Sequence, residues 1–421
     1  MANGVMPGTG TREDPFIVED GWDFNALRDV PASAFSSRAW IELGADISLS
    51  MFPVFTPIPG RFFEIDGKGY TIRNVNIFNG VGLFTTLFTH ETKDIRIEGN
   101  IVTTVTTNNT NVGLLCGTLT LETSNSIGGT VSNIQCFGNI TVNVNGLGTG
   151  TARSQGTGGY FGEVRPGSWA QHARVENCAF YGNIQYSINF AWPNANSANN
   201  SRGVGGVAGI LTSDVANSNG LTLIDCISVA TITIAGGGAR GAYGGIVGSV
   251  RTASSRAMNI SRCIARTVIQ MANLTPIIAE ITIGGIIGQS WAPFQHVSLC
   301  GAHTDIVYNP SESVAAILIG GLWSGFDSTN SGNHGSLINS YAVLRITNPN
   351  DQEWPEIMRV NGTMLISGTM QTLAVTGSFF DADVLAEGWS GTVENANMGV
   401  TTAQLQSAEF LESQGWVFAD V

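Results

Sequence analysis

The sequence predicts an all-β protein: a parallel solenoid in which one chain winds coil upon coil, closed by a short helical cap at each end. Three observations predict it. The chain of 421 residues carries 53 glycines and only 12% charged residues, yet 43% are hydrophobic, enough for a long core and too much for a disordered or collagen-like chain. A Gly-Gly-apolar-apolar-Gly unit recurs along it. A second, cysteine-centred piece recurs between those units, with its inward residues two apart, which is the side-chain period of a strand.

Taken in order, the first 60 residues read as a cap. Asp20 precedes Gly21-Trp-Asp-Phe-Asn-Ala-Leu-Arg-Asp-Val30 and Pro31, the start and stop signals of a short helix. Residues 61–380 read as the repeats. Val81-Gly82-Leu83-Phe84 and Val112-Gly113-Leu114-Leu115 look like degenerate copies of the glycine unit. Clear copies are Gly158-Gly159-Tyr160-Phe161-Gly162, Gly205-Gly206-Val207-Ala208-Gly209, Gly244-Gly245-Ile246-Val247-Gly248 and Gly284-Gly285-Ile286-Ile287-Gly288, with a variant at Gly320-Gly321-Leu322-Trp323. Their second glycines are 47, 39, 40 and 36 residues apart. Glycine accepts positive φ and close backbone approach, so these pairs are expected to turn tight corners of the coil.

The second piece aligns without gaps on Cys178, Cys226, Cys263, Cys300 and Ser340. Six residues further on stands isoleucine every time: Ile184, Ile232, Ile269, Ile306 and Ile346. Both sets are expected to form inward ladders, one rung per coil, about 4.8 Å apart. Cysteine serves there as a small buried hydrophobe, because stacked strands bring sulfurs close without the dihedral of a disulfide. Polar stretches such as residues 194–201 and 324–333 read as outward insertions. Residues 381–421 read as the second cap, with Thr401 and Gln404 at capping-box spacing before a helix through Leu411.

A resemblance adds to this. Gly8-Thr-Gly-Thr-Arg-Glu-Asp-Pro-Phe-Ile-Val18, Ala45-Asp-Ile-Ser-Leu49 and Phe62-Phe-Glu-Ile-Asp-Gly-Lys-Gly-Tyr-Thr-Ile-Arg-Asn-Val75 resemble the opening of GLUG-repeat proteins. The glycine units resemble the repeat itself, with Val or Ile often replacing Leu at its third position. Ser378-Phe-Phe-Asp-Ala-Asp383, Thr401-Thr-Ala-Gln-Leu405 and Gly415-Trp-Val-Phe418 look like that family's ending. The resemblance implies a right-handed parallel β-helix of the kind found on bacterial surface adhesins and tailed-phage virions, with no shared catalytic residues.

Composition narrows the function. A net charge of −13 argues against nucleic acid or anionic lipid as partner. No apolar stretch is long enough to insert in a membrane. The six cysteines never come closer than 20 residues, which excludes a C-x-x-C zinc or redox motif, and no metal or cofactor is expected. Gly236-Gly-Gly-Ala-Arg-Gly241 matches a nucleotide-binding pattern only through glycine richness. Acids are sparse in the repeats (Glu163, Glu176, Asp214, Asp225, Glu280, Asp305, Glu312, Asp327), and the alternation points Asp225 and Asp305 outward. Asp381 and Asp383 read as a polar turn rather than a calcium site.

Catalytic residues are therefore expected to be none, and a glycan-cleaving β-helix enzyme is kept as an alternative. Trp169, Trp291 and Trp323 follow glycine units and are the candidates for stacking on sugar. Met1–Gly8 lacks the basic and apolar regions of a secretory signal, which favours a virion over a bacterial cell surface. The expectation is a non-enzymatic virion protein of a tailed phage: an appendage, fibre or decoration protein, with other virion proteins and host-surface glycan as partners. A homo-oligomer is expected, a trimer first, with a secreted surface adhesin as the alternative.

Overall fold

The computed structural model describes residues 6–30, 38–107, 110–122, 128–145, 153–167, 173–189, 200–213, 220–237, 241–252, 258–274, 281–290, 294–309, 316–324, 334–349, 357–361, 372–376, 378–385, 393–394 and 399–413. Their architecture is a parallel β-helix: every strand pairing is parallel and joins residues one coil apart. One coil runs through four strands, Arg153–Gly158, Phe161–Pro166, Ala173–Glu176 and Ala179–Asn189, before Asn200–Gly205 begins the next. From Arg153 on, the first strand of each coil belongs to a seven-stranded sheet and the strands that follow it to the large sheet. The parallel ladder already includes Phe16–Val18 and Ala39–Leu43, since Phe16 pairs with Ile41 and Ala39 with Phe63.

The isoleucine ladder is in register, Ile184 to Ile232, Ile269, Ile306 and Ile346 in turn. It extends further back than the cysteine alignment reached, through Ile140 and Ile101 to Ile77. All eight are at most 1% exposed. Burying each removes an isoleucine from water at about 1.5–3 kcal/mol, counted against an extended unfolded chain and so an upper figure.

The cysteine ladder is equally buried, with Ser340 continuing it, and all six cysteines are free thiols. Here the structure adds a role that packing alone does not supply. Cys178, Cys226, Cys263 and Cys300 each direct Sγ at the carbonyl two residues back, at 3.3–3.4 Å, and Ser340 does the same with Oγ at 2.9 Å. Between donor and acceptor stands a residue with positive φ: Asn177 (51°), Asp225 (55°), Arg262 (51°), Leu299 (55°) and Asn339 (45°). The column therefore wants a small side chain with a γ donor that closes a left-handed corner, which is why cysteine and serine interchange there.

That corner, and not the glycine pair, is where positive φ turns the coil; the expectation for the pairs is corrected accordingly. None of Gly159, Gly206, Gly245 or Gly285 has a positive φ. They lie where opposite walls of the coil nearly touch. A Cβ on Gly159 would overlap the Phe180 ring, on Gly206 the Ser228 hydroxyl, on Gly245 the Ala265 methyl and on Gly285 the Ala302 methyl. Close approach is the reason for glycine at this column.

At the N-terminal end Asp20 accepts from the backbone N–H of Trp22 and Asp23 and caps a helix over Gly21–Ala26, with Phe24 and Leu27 buried. It is shorter than the segment to Val30, whose last residues form a turn. Thr401 and Gln404 make the capping box, but the helix stops at Leu405 and a second runs over Ala408–Ser413. Asp381 accepts from the Thr402 hydroxyl and from the Asp383 N–H, the polar turn expected of that pair. Among the described residues no helix is long and apolar enough to cross a membrane, and no three His, Cys, Asp or Glu side chains gather as metal ligands.

Candidate functional site

On the outer face near the N-terminal end, a groove of about 610 Å³ is lined by Ser50, Phe52, Pro53, Asn74, Asn76, Glu98 and Asn100 together with backbone at Val75 and Gly99. Two local features build it. The strand Thr71–Phe78 carries an irregularity between Ile72 and Val75, where Asn74 adopts φ 58°, so that Arg73 and Asn74 both turn outward. Gly21 has no side chain to hold the helix away from Ser48 and Met51, which seats that helix against the groove's rim. Trp22, 51% exposed, then meets the groove wall edge-on, its ring 5.0 Å from that of Phe52.

The polar lining is held in place. Asn74 donates to Ser48 Oγ at 3.0 Å and Asn76 to the Pro53 carbonyl at 2.6 Å, while Glu98 accepts from Arg96 Nε at 2.7 Å. Beyond the groove the amides continue as a row, because Asn76, Asn100, Asn139 and Asn183 are register partners on successive coils. Asn139 donates to Asn100 Oδ1 and Asn183 to Asn139 Oδ1, each at 2.8 Å. Beside that row Tyr181 stacks on Phe137 (5.0 Å, 12°), and Arg96 covers Phe137 at 4.2 Å. An amide offers a donor and an acceptor side by side, so a row of them with an aromatic flank suits the hydroxyl pairs of an extended sugar chain.

A second cluster is buried. Glu64, 1% exposed, accepts at Oε2 from Thr89 Oγ1 (3.1 Å) and from the N–H groups of His90 (2.9 Å) and Glu91 (2.5 Å). Its Oε1 lies 3.3 Å from Arg38 Nε and 3.5 Å from His90 Nδ1, and Arg38 reaches His90 Nε2 at 2.6 Å. Burial raises the Glu64 carboxyl against the lowering effect of those hydrogen bonds and of Arg38. Burial and then the Arg38 charge push His90 down to about 4. The carboxylate ties down a corner of the coil by satisfying two backbone donors, a structural task that also leaves its Oε2 fully occupied.

Of the tryptophan candidates, Trp323 is corrected: it is fully buried, not on a flank. It pairs with Ile287 and so continues the inward column of Phe161, Ala208 and Val247. Trp169 and Trp291 lie outside the described residues. Asp225 does point outward, where Arg262 holds it with two hydrogen bonds of 2.6 Å and keeps its carboxyl below the usual range. Glu163 is instead buried and accepts from Asn111 at 2.7 Å. Glu176 pairs in register with Ile224, beside Asp225 on the next coil, but each acid is held by its own arginine, Glu176 by Arg174 and Asp225 by Arg262, while Asp214, Glu280, Glu312 and Asp327 lie outside the described residues. The groove residues and Trp22 were missed by the sequence reading.

Fold and site together define a parallel β-helix protein with an amide-lined outer face. No family model and no curated protein matches the chain. Its fold is similar to that of a crystal structure described as a "putative immunoglobulin A1 protease from Bacteroides ovatus", with a TM-score of 0.51 and 18% identity over 84% of this chain and 86% of that one. At that identity the likeness concerns the fold alone.

Proposed function

We propose that the protein is a non-enzymatic attachment protein on the virion of a tailed phage, and that its outer groove and asparagine row bind host-surface glycan. The glycan part is carried by one observation, the in-register row Asn76, Asn100, Asn139 and Asn183 leading out of a groove walled by Phe52. A row with one amide per coil suits a ligand that is itself a repeat. The virion part is supported by the resemblance of the opening, repeat and ending segments to GLUG-repeat proteins. As an appendage it would work as a homo-oligomer, a trimer first, gaining residence time on a repetitive surface through avidity.

The test combines binding and location. Purified protein is expected to bind host-surface polysaccharide without releasing new reducing ends, and immunogold labelling should find it on virions. Changing Asn100 and Asn139 together to Ala should weaken binding at least tenfold while the circular dichroism spectrum stays that of the parent. Unchanged binding by that variant would remove the row as the site; absence from virions would remove the location. A second reading, a bacterial surface protein with hydrolytic activity, is favoured by the fold likeness to the Bacteroides protein and its description. Cleavage of polysaccharide or of immunoglobulin A1 by the purified protein would establish it instead.

A further inference from the structure

The asparagine row has a definite length and fixed amide directions. It holds Asn76, Asn100, Asn139 and Asn183, all exposed and one per coil. At its start Asn76 spends an N–H on the Pro53 carbonyl. At its far end the register partner of Asn183 is Thr231 and that of Thr231 is Val268, so the amides stop at Asn183. Asn139 and Asn183 each donate to the Oδ1 of the asparagine one coil before, at 2.8 Å. That bond lies along the helix axis and pins the plane of the amide, and the second N–H of the same group, set at the trigonal angle to the first, points straight out of the row.

Apolar side chains wall the row. Phe78 and Val102, 57% and 39% exposed, are register partners and follow Asn76 and Asn100 by two residues, so they flank the first two coils on one side. Phe137 and Tyr181 precede Asn139 and Asn183 by two residues and flank the last two coils on the other side. Their rings lie 5.0 Å apart at 12°, a separation close to the rise of one coil, so they stack along the axis and turn edges rather than faces toward the row. The result is a trough parallel to the helix axis, with a hydrogen-bonding floor and apolar sides.

We propose that this trough selects extended glycans of equatorially 1→4-linked pyranose rings, bound parallel to the helix axis with one sugar per coil and four sugars in all. Such a chain is a ribbon that advances by one ring per step, close to the coil spacing of about 4.8 Å. Its rings carry hydroxyls on their edges and C–H groups on their faces. Set on edge in the trough, the ribbon meets the amides with hydroxyls and the walls with its faces. A chain with an axial linkage, such as an α-1→4-glucan, winds into a coil of its own and leaves the row after a sugar or two. That the ligand is a glycan rests on the reading above; the linkage, the orientation and the number of sugars go beyond it.

The test is calorimetry on the full chain with cello-oligosaccharides of two to six sugars and with maltohexaose. Affinity is expected to rise about three- to tenfold per sugar up to four, the worth of one hydrogen bond, and by less than about twofold for each sugar after that. Maltohexaose should bind at least tenfold more weakly than cellohexaose. Asn183→Ala shortens the row by one amide; it should leave cellotriose within about twofold of the parent and abolish the gain from the third to the fourth sugar, with the circular dichroism spectrum unchanged. Maltohexaose binding as well as cellohexaose, or no binding of any cello-oligosaccharide, would overturn the extended class. A gain that continues past four sugars, or that survives Asn183→Ala, would overturn the one-sugar-per-coil register. In each of these cases, host polysaccharide binding that is still lost on changing Asn100 and Asn139 to Ala would leave the glycan reading standing, so the two failures are told apart.

Discussion

His90 offers a pH test of how the N-terminal corner is held. In the folded chain Nε2 faces the Arg38 guanidinium at 2.6 Å, so it must accept, and the remaining proton sits on Nδ1 toward Glu64. Protonating the ring would set two donors against each other. The imidazole therefore stays neutral down to about 4 in the folded chain, against 6.5 when exposed. Between those values the unfolded chain binds a proton that the folded chain refuses, so stability is present above 6.5 and is lost as pH falls toward 4. At about 1.36 kcal/mol per pH unit the full gap corresponds to about 3 kcal/mol, and water at the partly exposed ring edge brings this nearer 2 kcal/mol. Glu64 acts in the opposite sense. Its folded carboxyl is raised above 4.5, so it takes up a proton first on acidification and returns some stability at the acid end. Comparing parent and His90→Gln by urea unfolding isolates the histidine: their stability difference should shift by about 2 kcal/mol between pH 7 and pH 4. NMR should place the His90 midpoint near 4. A midpoint at or above the exposed value, or a stability difference flat with pH, would refute the reasoning.

Three further outcomes are expected. Ile269→Asp puts a carboxylate between Ile232 and Ile306 and should cost several kcal/mol, whereas Ile264→Asp, 40% exposed on the outer face, should cost less than about 1 kcal/mol; equal melting would show that the register is wrong. All six thiols are fully buried, and although hydrogen bonds from Cys178 and Cys263 lower that of Cys226, enclosure denies every one to a reagent, so a thiol reagent should find almost no reactive group in the native protein and six after denaturation without reductant. Leu299 sits at φ 55° and is 44% exposed; Leu299→Asn should stabilise the protein by about 0.5–1 kcal/mol in chemical unfolding, and a loss of stability would count against strain at that corner.

The inward residues were legible in the sequence because each coil must place the same volume at the same height. Isoleucine recurs at a fixed offset from the cysteine, and register leaves it no freedom. The corner beside it was not legible. Three of its five occupants, Asn177, Asp225 and Asn339, are of the Asn/Asp kind that tolerates positive φ, but Arg262 and Leu299 break the pattern, because pairing with the coils above and below imposes positive φ on whatever stands there. The earlier rungs Ile77, Ile101 and Ile140 escaped notice because the alignment was anchored on cysteine, and in those coils its column holds Ile134 while Cys136 has moved to the position of Phe180. Trp323 was legible and was read against its own unit, since it occupies the fourth position of the glycine repeat, where Phe161 and Ile287 are buried. The groove joins three stretches brought together by an irregular strand, which no local pattern announces. The row leading out of it did leave a signal: Gly99-Asn100-Ile101, Gly138-Asn139-Ile140 and Gly182-Asn183-Ile184 repeat the same triplet. Once isoleucine is known to point inward, alternation alone sends each asparagine outward, and equal spacing of the coils stacks the three into one hydrogen-bonded row.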